Sequence, residues 1–349
     1  DHRRLDYVQD VLFRANKVNP RLYESHYNLA RYYRLVRADA DEKTALDATL
    51  RLLPRTEPLT PKRLAIEIDT HTRLGEYLYR TKEPIAAEKE LQTAVGLVEK
   101  NQSMGLVGKD RRFGRAYAAL GDLYYYLQGD LGTAFRMYQD AAANSWATPE
   151  LAYKMGFIQY AQRDYRAAVG TFTRAEDATA YPAADDALDP ITDVAAAQTP
   201  PGQPPQNLLY AIGNSFYQRG DYFAAQGYFL RLRDRLETRR AQKGFLHPEA
   251  STEDRALLSA LWKVDNNLGV TMVRLAERTG DRRKRSEALV YLTAATEIAD
   301  GLARDPSGVQ RSASRTLPSV NVQSILYPMR GNIPQISPDL PRDFSVAEW

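Results

Sequence analysis

Cysteine is absent from the 349 residues. That excludes disulfides, a thiol nucleophile and any thiolate metal site. Histidine is scarce: His2, His26, His71 and His247 are scattered with no metal-ligand spacing, and His71 sits where a large packing residue is wanted, so it reads as a core histidine. Charge of either sign is not in excess. Lys+Arg 47 against Asp+Glu 44 leaves +3, too little to name nucleic acid as the partner. The basic clusters Arg231–Arg240 and Arg282–Arg285 are interleaved with Asp234, Glu237, Asp281 and Glu287, and read as solvated surface. No apolar run reaches the roughly 20 residues that span a bilayer. The chain begins at Asp1 rather than Met, which reads as a fragment or a processed form whose upstream signal, anchor or domain is out of sight. The 44% hydrophobic and 26% charged fractions that remain are ordinary for a globular protein.

Catalytic signatures are missing as well. Met104-Gly105-Leu106-Val107-Gly108-Lys109 lacks the phosphate-loop pattern, no G-x-S-x-G elbow occurs, and Asp185-Asp186 lies in a proline-rich stretch where solvation is the default. No enzyme, cofactor or metal is expected.

What is present is a repeated phrase. A medium apolar residue and Gly are followed three positions on by a large residue. After a break come Ala, a large residue four further on, and a small or apolar residue three beyond that. Copies stand at Leu74-Gly75 with Ala87, Leu91 and Ala94, at Leu120-Gly121 with Ala134, Tyr138 and Ala141, and at Met155-Gly156 with Ala168, Phe172 and Ala175. Two more are Ile212-Gly213 with Ala225, Phe229 and Leu232, and Leu268-Gly269 with Ala288, Leu292 and Ala295. A worn copy leads, Leu29-Ala30 with Ala45, Thr49 and Leu52. Apolar spacings of three and four mark one helix face. Glycine inside a helix costs about 1 kcal/mol against Ala, so its recurrence implies a helix passing too close for a side chain, with the small Ala of the second helix as the expected contact. Turn signals such as Gln128-Gly129-Asp130 and Arg219-Gly220-Asp221 lie between the halves. Each unit reads as helix, tight turn, helix.

These residues resemble the tetratricopeptide repeat (TPR) family, over residues 24–304. The resemblance implies an all-α, right-handed superhelical solenoid of about six helix pairs that binds other proteins. A capping helix is expected within 1–23, about Leu5 to Asn16. The glycines are 121−75=46, 156−121=35, 213−156=57 and 269−213=56 residues apart. Only one interval is near the family period, so insertions are expected near 100–112, 181–206, 236–252 and 278–286.

Proline clusters in 181–206 and again from Pro306 onward, and both stretches are expected to be extended. The segment 305–349 also carries large apolar residues that a free linker seldom holds. It is therefore expected to dock, on its own solenoid or on a neighbouring copy, through Leu317, Ile325, Leu326, Tyr327, Ile333, Ile336, Phe344 and Trp349.

In this family the first helix of each pair lines the concave face, which implies a groove. Four residues past the Gly stand Tyr79, Tyr125, Tyr160 and Tyr217, and three before it Tyr27, Tyr153 and Tyr210. Phe157 and Asn214 follow a Gly directly, and Asn267 matches Asn214 in the next unit. Tyrosine suits a peptide groove because its ring stacks while its hydroxyl bonds to main chain. The same tyrosines could equally pack between helices. One TPR subclass clamps a terminal carboxylate with Lys and Asn, but the Lys position before Asn214 is Tyr210, so that clamp is incomplete.

A narrower resemblance rests on His26-Tyr27-Asn28-Leu29-Ala30-Arg31-Tyr32-Tyr33, Leu59-Thr60-Pro61-Lys62-Arg63-Leu64, Ile68 through Glu76, and Phe113-Gly114-Arg115 with Gly121 through Tyr126. These stretches resemble spirochaete TPR proteins of the periplasmic flagellar collar. That resemblance implies a structural part that bridges motor components and stators, in the periplasm. Two other readings stand beside it: a receptor or chaperone-like protein holding an extended peptide in its groove, and nucleic-acid binding through Arg231–Lys243 and Arg282–Arg285. Self-association through the tail is a further expectation.

Overall fold

The structure is a computed structural model that describes residues 2–54, 60–180, 204–244, 251–303, 317–326 and 333–344. Among them every regular element is a helix. The helices are α1 (His2–Val18), α2 (Tyr23–Leu35), α3 (Asp39–Leu52), α4 (Pro61–Arg80), α5 (Pro84–Ser103), α6 (Arg111–Leu123) and α7 (Leu131–Ala143). They continue as α8 (Pro149–Ala161), α9 (Tyr165–Ala180), α10 (Gln206–Arg219), α11 (Tyr222–Lys243), α12 (Thr252–Thr279), α13 (Arg282–Ala303) and α14 (Leu317–Leu326). A π-helical turn, Tyr124–Gln128, closes α6. The chain forms two compact units, one to Leu151 and one of Ala152–Ala183 with Pro201–Trp349.

Within each unit consecutive helices pair: α2/α3, α4/α5 and α6/α7 in the first, α8/α9, α10/α11 and α12/α13 in the second. The turns explain the pairing. A residue just past each first helix adopts positive φ, at Arg37, Lys82, Gly129, Arg163, Gly220 and Gly280, which reverses the chain at once. At the last four of these an aspartate follows and caps the second helix: Asp130 accepts from the Thr133 amide at 3.0 Å and Asp164 from the Ala167 amide at 3.0 Å. Asp221 and Asp281 do the same for α11 and α13.

The glycines have the close-approach role their recurrence implies, with a different partner. A Cβ on Gly75, Gly121, Gly156, Gly213 or Gly269 would lie 2.5–2.7 Å from Leu91, Tyr138, Phe172, Phe229 or Leu292 respectively. The filling residue is thus the large one four past the alanine. The alanines contribute backbone oxygens, Ala87 at 3.2 Å from the Gly75 position and Ala288 at 3.0 Å from Gly269. Leu91, Tyr138, Phe172, Phe229 and Leu292 are all buried, so each pair closes its core with a side chain seated on a bare backbone.

Two expectations about irregular segments are corrected. The extra residues near 278–286 are not a loop, because α12 runs to Thr279 and α13 starts at Arg282, and the added length is helix. Half of 236–252 is likewise the end of α11. Residues 317–326 of the proline-rich tail are helical rather than extended. Pro318 lies in the first turn of α14, where its missing amide donor has no helical acceptor to lose. Most of 181–206, and 305–316, 327–332 and 345–349, lie outside the described residues, and Tyr327 and Trp349 with them.

Gly213→Ala gains about 1 kcal/mol of helix propensity and loses about 1–3 kcal/mol to overpacking against Phe229, for a net loss of stability. Gly227→Ala, on α11 with open space around its Cβ position, gains about 0.5–1 kcal/mol. Thermal unfolding of the two variants should move the midpoint in opposite directions.

Candidate functional site

Residues 333–344 run Ile-Pro-Gln-Ile-Ser-Pro-Asp-Leu-Pro-Arg-Asp-Phe and contain no helix. Pro334, Pro338 and Pro341 fix their own φ and push the residues before them, Ile333, Ser337 and Leu340, into extended conformations. Such a strand has no internal hydrogen bonds, so its main-chain groups need partners elsewhere. Side chains of the second unit supply them.

The centre is Ser337, buried at 2% exposure. Asn267 of α12 accepts from the Ser337 amide at 2.6 Å and returns its own Nδ2–H to the Ser337 carbonyl at 3.1 Å. That carbonyl also accepts from Tyr210 Oη at 2.9 Å and Asn214 Nδ2 at 3.1 Å, both on α10. Asn267 Nδ2 further meets Asn214 Oδ1 at 2.7 Å, which fixes both amides. Tyr210, Asn214 and Asn267 are fully buried, where unmet polar groups would cost about 1–3 kcal/mol each. Burial pushes the Tyr210 hydroxyl up to about 12, so it stays a donor at neutral pH.

Two residues earlier the same device recurs. Asn321 of α14 accepts from the Gln335 amide at 2.9 Å and donates to the Gln335 carbonyl at 2.7 Å. Asn266 adds a second bond to that carbonyl at 3.3 Å, and its Oδ1 accepts from Asn321 at 2.8 Å. Further along, Tyr160 Oη donates to the Pro338 carbonyl at 3.0 Å, Tyr153 Oη to Pro341 at 2.6 Å, and Asn207 Nδ2 to Asp343 at 2.7 Å. Residues of α8, α10, α12 and α14 therefore grip one peptide by its backbone. Of the tail residues expected to dock, Ile325 and Ile336 are buried, Leu317 is half-buried, and Phe344 packs on Tyr153 at 5.6 Å between ring centroids. Leu326 and Ile333 are exposed.

The other groove residues are placed as follows. Tyr153, Tyr160, Tyr210, Asn214 and Asn267 converge on the segment. Phe157 is half-buried, and Tyr217 packs on Tyr222 with the rings tilted while its hydroxyl accepts from Arg274 at 3.4 Å. In the first unit Tyr79 is half-buried. Tyr125 is a core residue, fully buried against Tyr126 and Tyr138, because the π-helical turn widens the helix there and rotates the position inward. Tyr27 donates to Asp69 at 2.7 Å. The expected core histidine, His71, is partly buried and pairs with Glu90 at 2.7 Å.

The first-helix face of the first unit is ionic. Asp69 and Arg73 of α4 are buried together at 2.5 Å, and Arg115 of α6 forks onto Glu76 at 2.9 and 2.7 Å. Burial favours the neutral form of Asp69, but Arg73 and Arg115 outweigh it and hold the carboxyl down at about 2. In the second unit Asp265 has the opposite balance: burial pushes its carboxyl up to about 6, with Arg233, 2.6 Å away and partly solvated, pulling back most strongly and Arg240 adding less. Among the described residues no group of three or more His, Asp or Glu could hold a metal.

Sequence reasoning missed Asn207, Asn266 and Asn321. Asn266 neighbours a recognised residue, but nothing in the spacing marks Asn321, which reaches the site only because residues 317–326 fold as a helix.

The two aspartates predict opposite pH dependences. The Asp69 contribution is present above about pH 4 and is lost as pH falls toward 2, so Asp69→Asn should cost about 3–5 kcal/mol near pH 7 and progressively less in acid. The raised Asp265 carboxyl favours the folded state below about pH 4, an advantage lost as pH rises through 6. Asp265→Asn should raise the unfolding midpoint at pH 8 and lose that gain at pH 4 in a buffer series.

No family model and no curated protein matches the chain. Solved structures do. The C-terminal part of a TPR repeat-containing protein from Cytophaga hutchinsonii is 13% identical with a TM-score of 0.49, over 86% of this chain and 96% of that one. YrrB, described as a TPR protein with an unusual peptide-binding site, is 15% identical with a TM-score of 0.42, over 66% and 84%. PilF of Pseudomonas aeruginosa is 15% identical with a TM-score of 0.43, over 80% and 95%. Repeated glycine contacts and capped turns join consecutive helices of this chain into pairs similar to those of tetratricopeptide repeats.

Proposed function

We propose that this chain is a non-catalytic scaffold that joins other proteins through its helix pairs. The observation that carries the reading is the use made of the first-helix face in the second unit. Its convergent polar groups, Asn267, Asn214 and Tyr210, are committed to hydrogen bonds with a peptide backbone, and all four of these bonds go to Ser337. Such a face holds chain and carries no nucleophile–base pair. The segment that fills it belongs to the same polypeptide, which leaves outer surfaces and edges for partners. Exposed large apolar side chains are available there in the first unit, Val18 and Ile85 at 86% each.

The setting we propose is the one the sequence phrases resemble: a periplasmic flagellar collar of spirochaete type, in which the chain would bridge motor parts and stators. No helix of the described residues is long and apolar enough to cross a membrane. A second reading, capture of an extended peptide by the second unit, is favoured by the same hydrogen bonds.

A photo-crosslinking residue at Ile85 or Val18, in cells of the source organism, should trap discrete motor proteins, and the chain should fractionate with the periplasm. Recovery of uncrosslinked chain from the cytoplasm would contradict both the setting and the scaffold reading.

A further inference from the structure

The grip on residues 333–344 is selective in a way that can be read as a recognition code. Asn267 and Asn321 each pair an amide with the N–H and C=O of one residue, at Ser337 and Gln335. The two residues are separated by one, the period at which an extended chain turns the same edge to a wall. A proline cannot stand at either place because each must donate an N–H. The prolines at 334, 338 and 341 stand where no N–H is bonded by the groove, and they hold the strand extended before it docks, which lowers the ordering cost.

Side-chain selection is confined to a few positions. Pro334, Ile336 and Ser337 are buried, with Ile336 in the core of α10 to α13. Ser337 is buried with its main chain held by Tyr210, Asn214 and Asn267, and a larger side chain there would overpack a close-packed interior. Leu340 is packed against two core clusters of the second unit, and Phe344 against Tyr153. Gln335, Pro338 and Asp339 are exposed. Their identities are not read.

The geometry points to a peptide-binding site for segments of other proteins that share this pattern: proline, an aliphatic residue two later, a small non-proline residue next, an aliphatic residue three later and an aromatic four beyond that. Residues 333–344 are the tethered competitor for it. This inference rests on the capture reading of the second unit, and it fails separately from the scaffold reading, which is tested at Ile85 and Val18 in the other unit. The tail joins α14 through residues 327–332, so it competes as a neighbour rather than as a free solute. A short tether gives an effective concentration on the order of millimolar, which suppresses a roughly 10 μM peptide about a hundredfold.

The test uses the full chain. Ser337→Trp places a side chain where none fits, and Ile336→Asp places a charge in the core contact. Both change only the tail and leave the helix pairs untouched, so either serves if the other fails to fold. A fluorescein-labelled peptide of residues 332–344 is titrated by anisotropy. The expected result is saturable micromolar binding to the released variants and binding about a hundredfold weaker to the unsubstituted chain. Adding Asn267→Ala to Ser337→Trp should abolish binding. A peptide with Ser337→Trp should not bind, and one with Asp339→Ala should bind within twofold. No saturable binding to released variants that keep their helical circular dichroism overturns the inference, as does equal binding to released and unsubstituted chains. An unsubstituted chain that elutes as a dimer and is split by the peptide would assign the groove to a second copy's tail, and would overturn it too.

Discussion

Where Gly213 of α10 meets Phe229 of α11, the ring rests on backbone at a distance no Cβ could share. The same contact recurs at Gly75 with Leu91, Gly121 with Tyr138, Gly156 with Phe172 and Gly269 with Leu292. Each glycine gives up about 1 kcal/mol of helix propensity, and the large side chain it admits returns more by full burial. The contact also sets the rotation of the first helix about its axis. Residues three before and four after the glycine share its helix face. In the second unit the rings of Tyr153 and Tyr210 therefore pack on Phe172 and Phe229 at 5.4 and 6.3 Å between centroids, while their hydroxyls, with that of Tyr160, reach the tail.

What that face then does depends on which polar residues it carries. In the first unit they are ionic and paired with one another, as Asp69 with Arg73 and Arg115 with Glu76. In the second they are amides and phenols. Neutral amides have both donor and acceptor to give without the desolvation cost of a buried charge, and a peptide backbone offers the complementary pair. Asn267 and Asn214 would each leave buried groups unmet without Ser337. The tail is thus part of the polar satisfaction of the unit's core.

The repeat was legible because it is written in residues whose reasons are steric: glycine at the close approach, the large residue opposite, aspartate after the turn. Tyr210, Asn214 and Asn267 could be singled out from their register to Gly213 and Gly269. Tyr125 could not be placed correctly, since the π-helical turn at Tyr124–Gln128 shifts the register and leaves no mark in the spacing. The proline content of the segment holding residues 317–326 points to extended chain, yet Pro318 in a first turn is no obstacle to a helix. With that helix unseen, Asn321 had no register from which to be inferred. The glycine interval of 56 reads as an insertion, but part of that length is added helix at the end of α11 and the start of α12.

The central claim is that the second unit holds residues 333–344 by their backbone. Hydrogen–deuterium exchange of the intact chain, resolved to single amides, tests it most directly. The Ser337 and Gln335 amides donate to Asn267 and Asn321 and should exchange orders of magnitude more slowly than an unstructured peptide. Asn267→Ala should remove the protection at Ser337. Exchange of both amides at the rate of the free peptide would contradict the account.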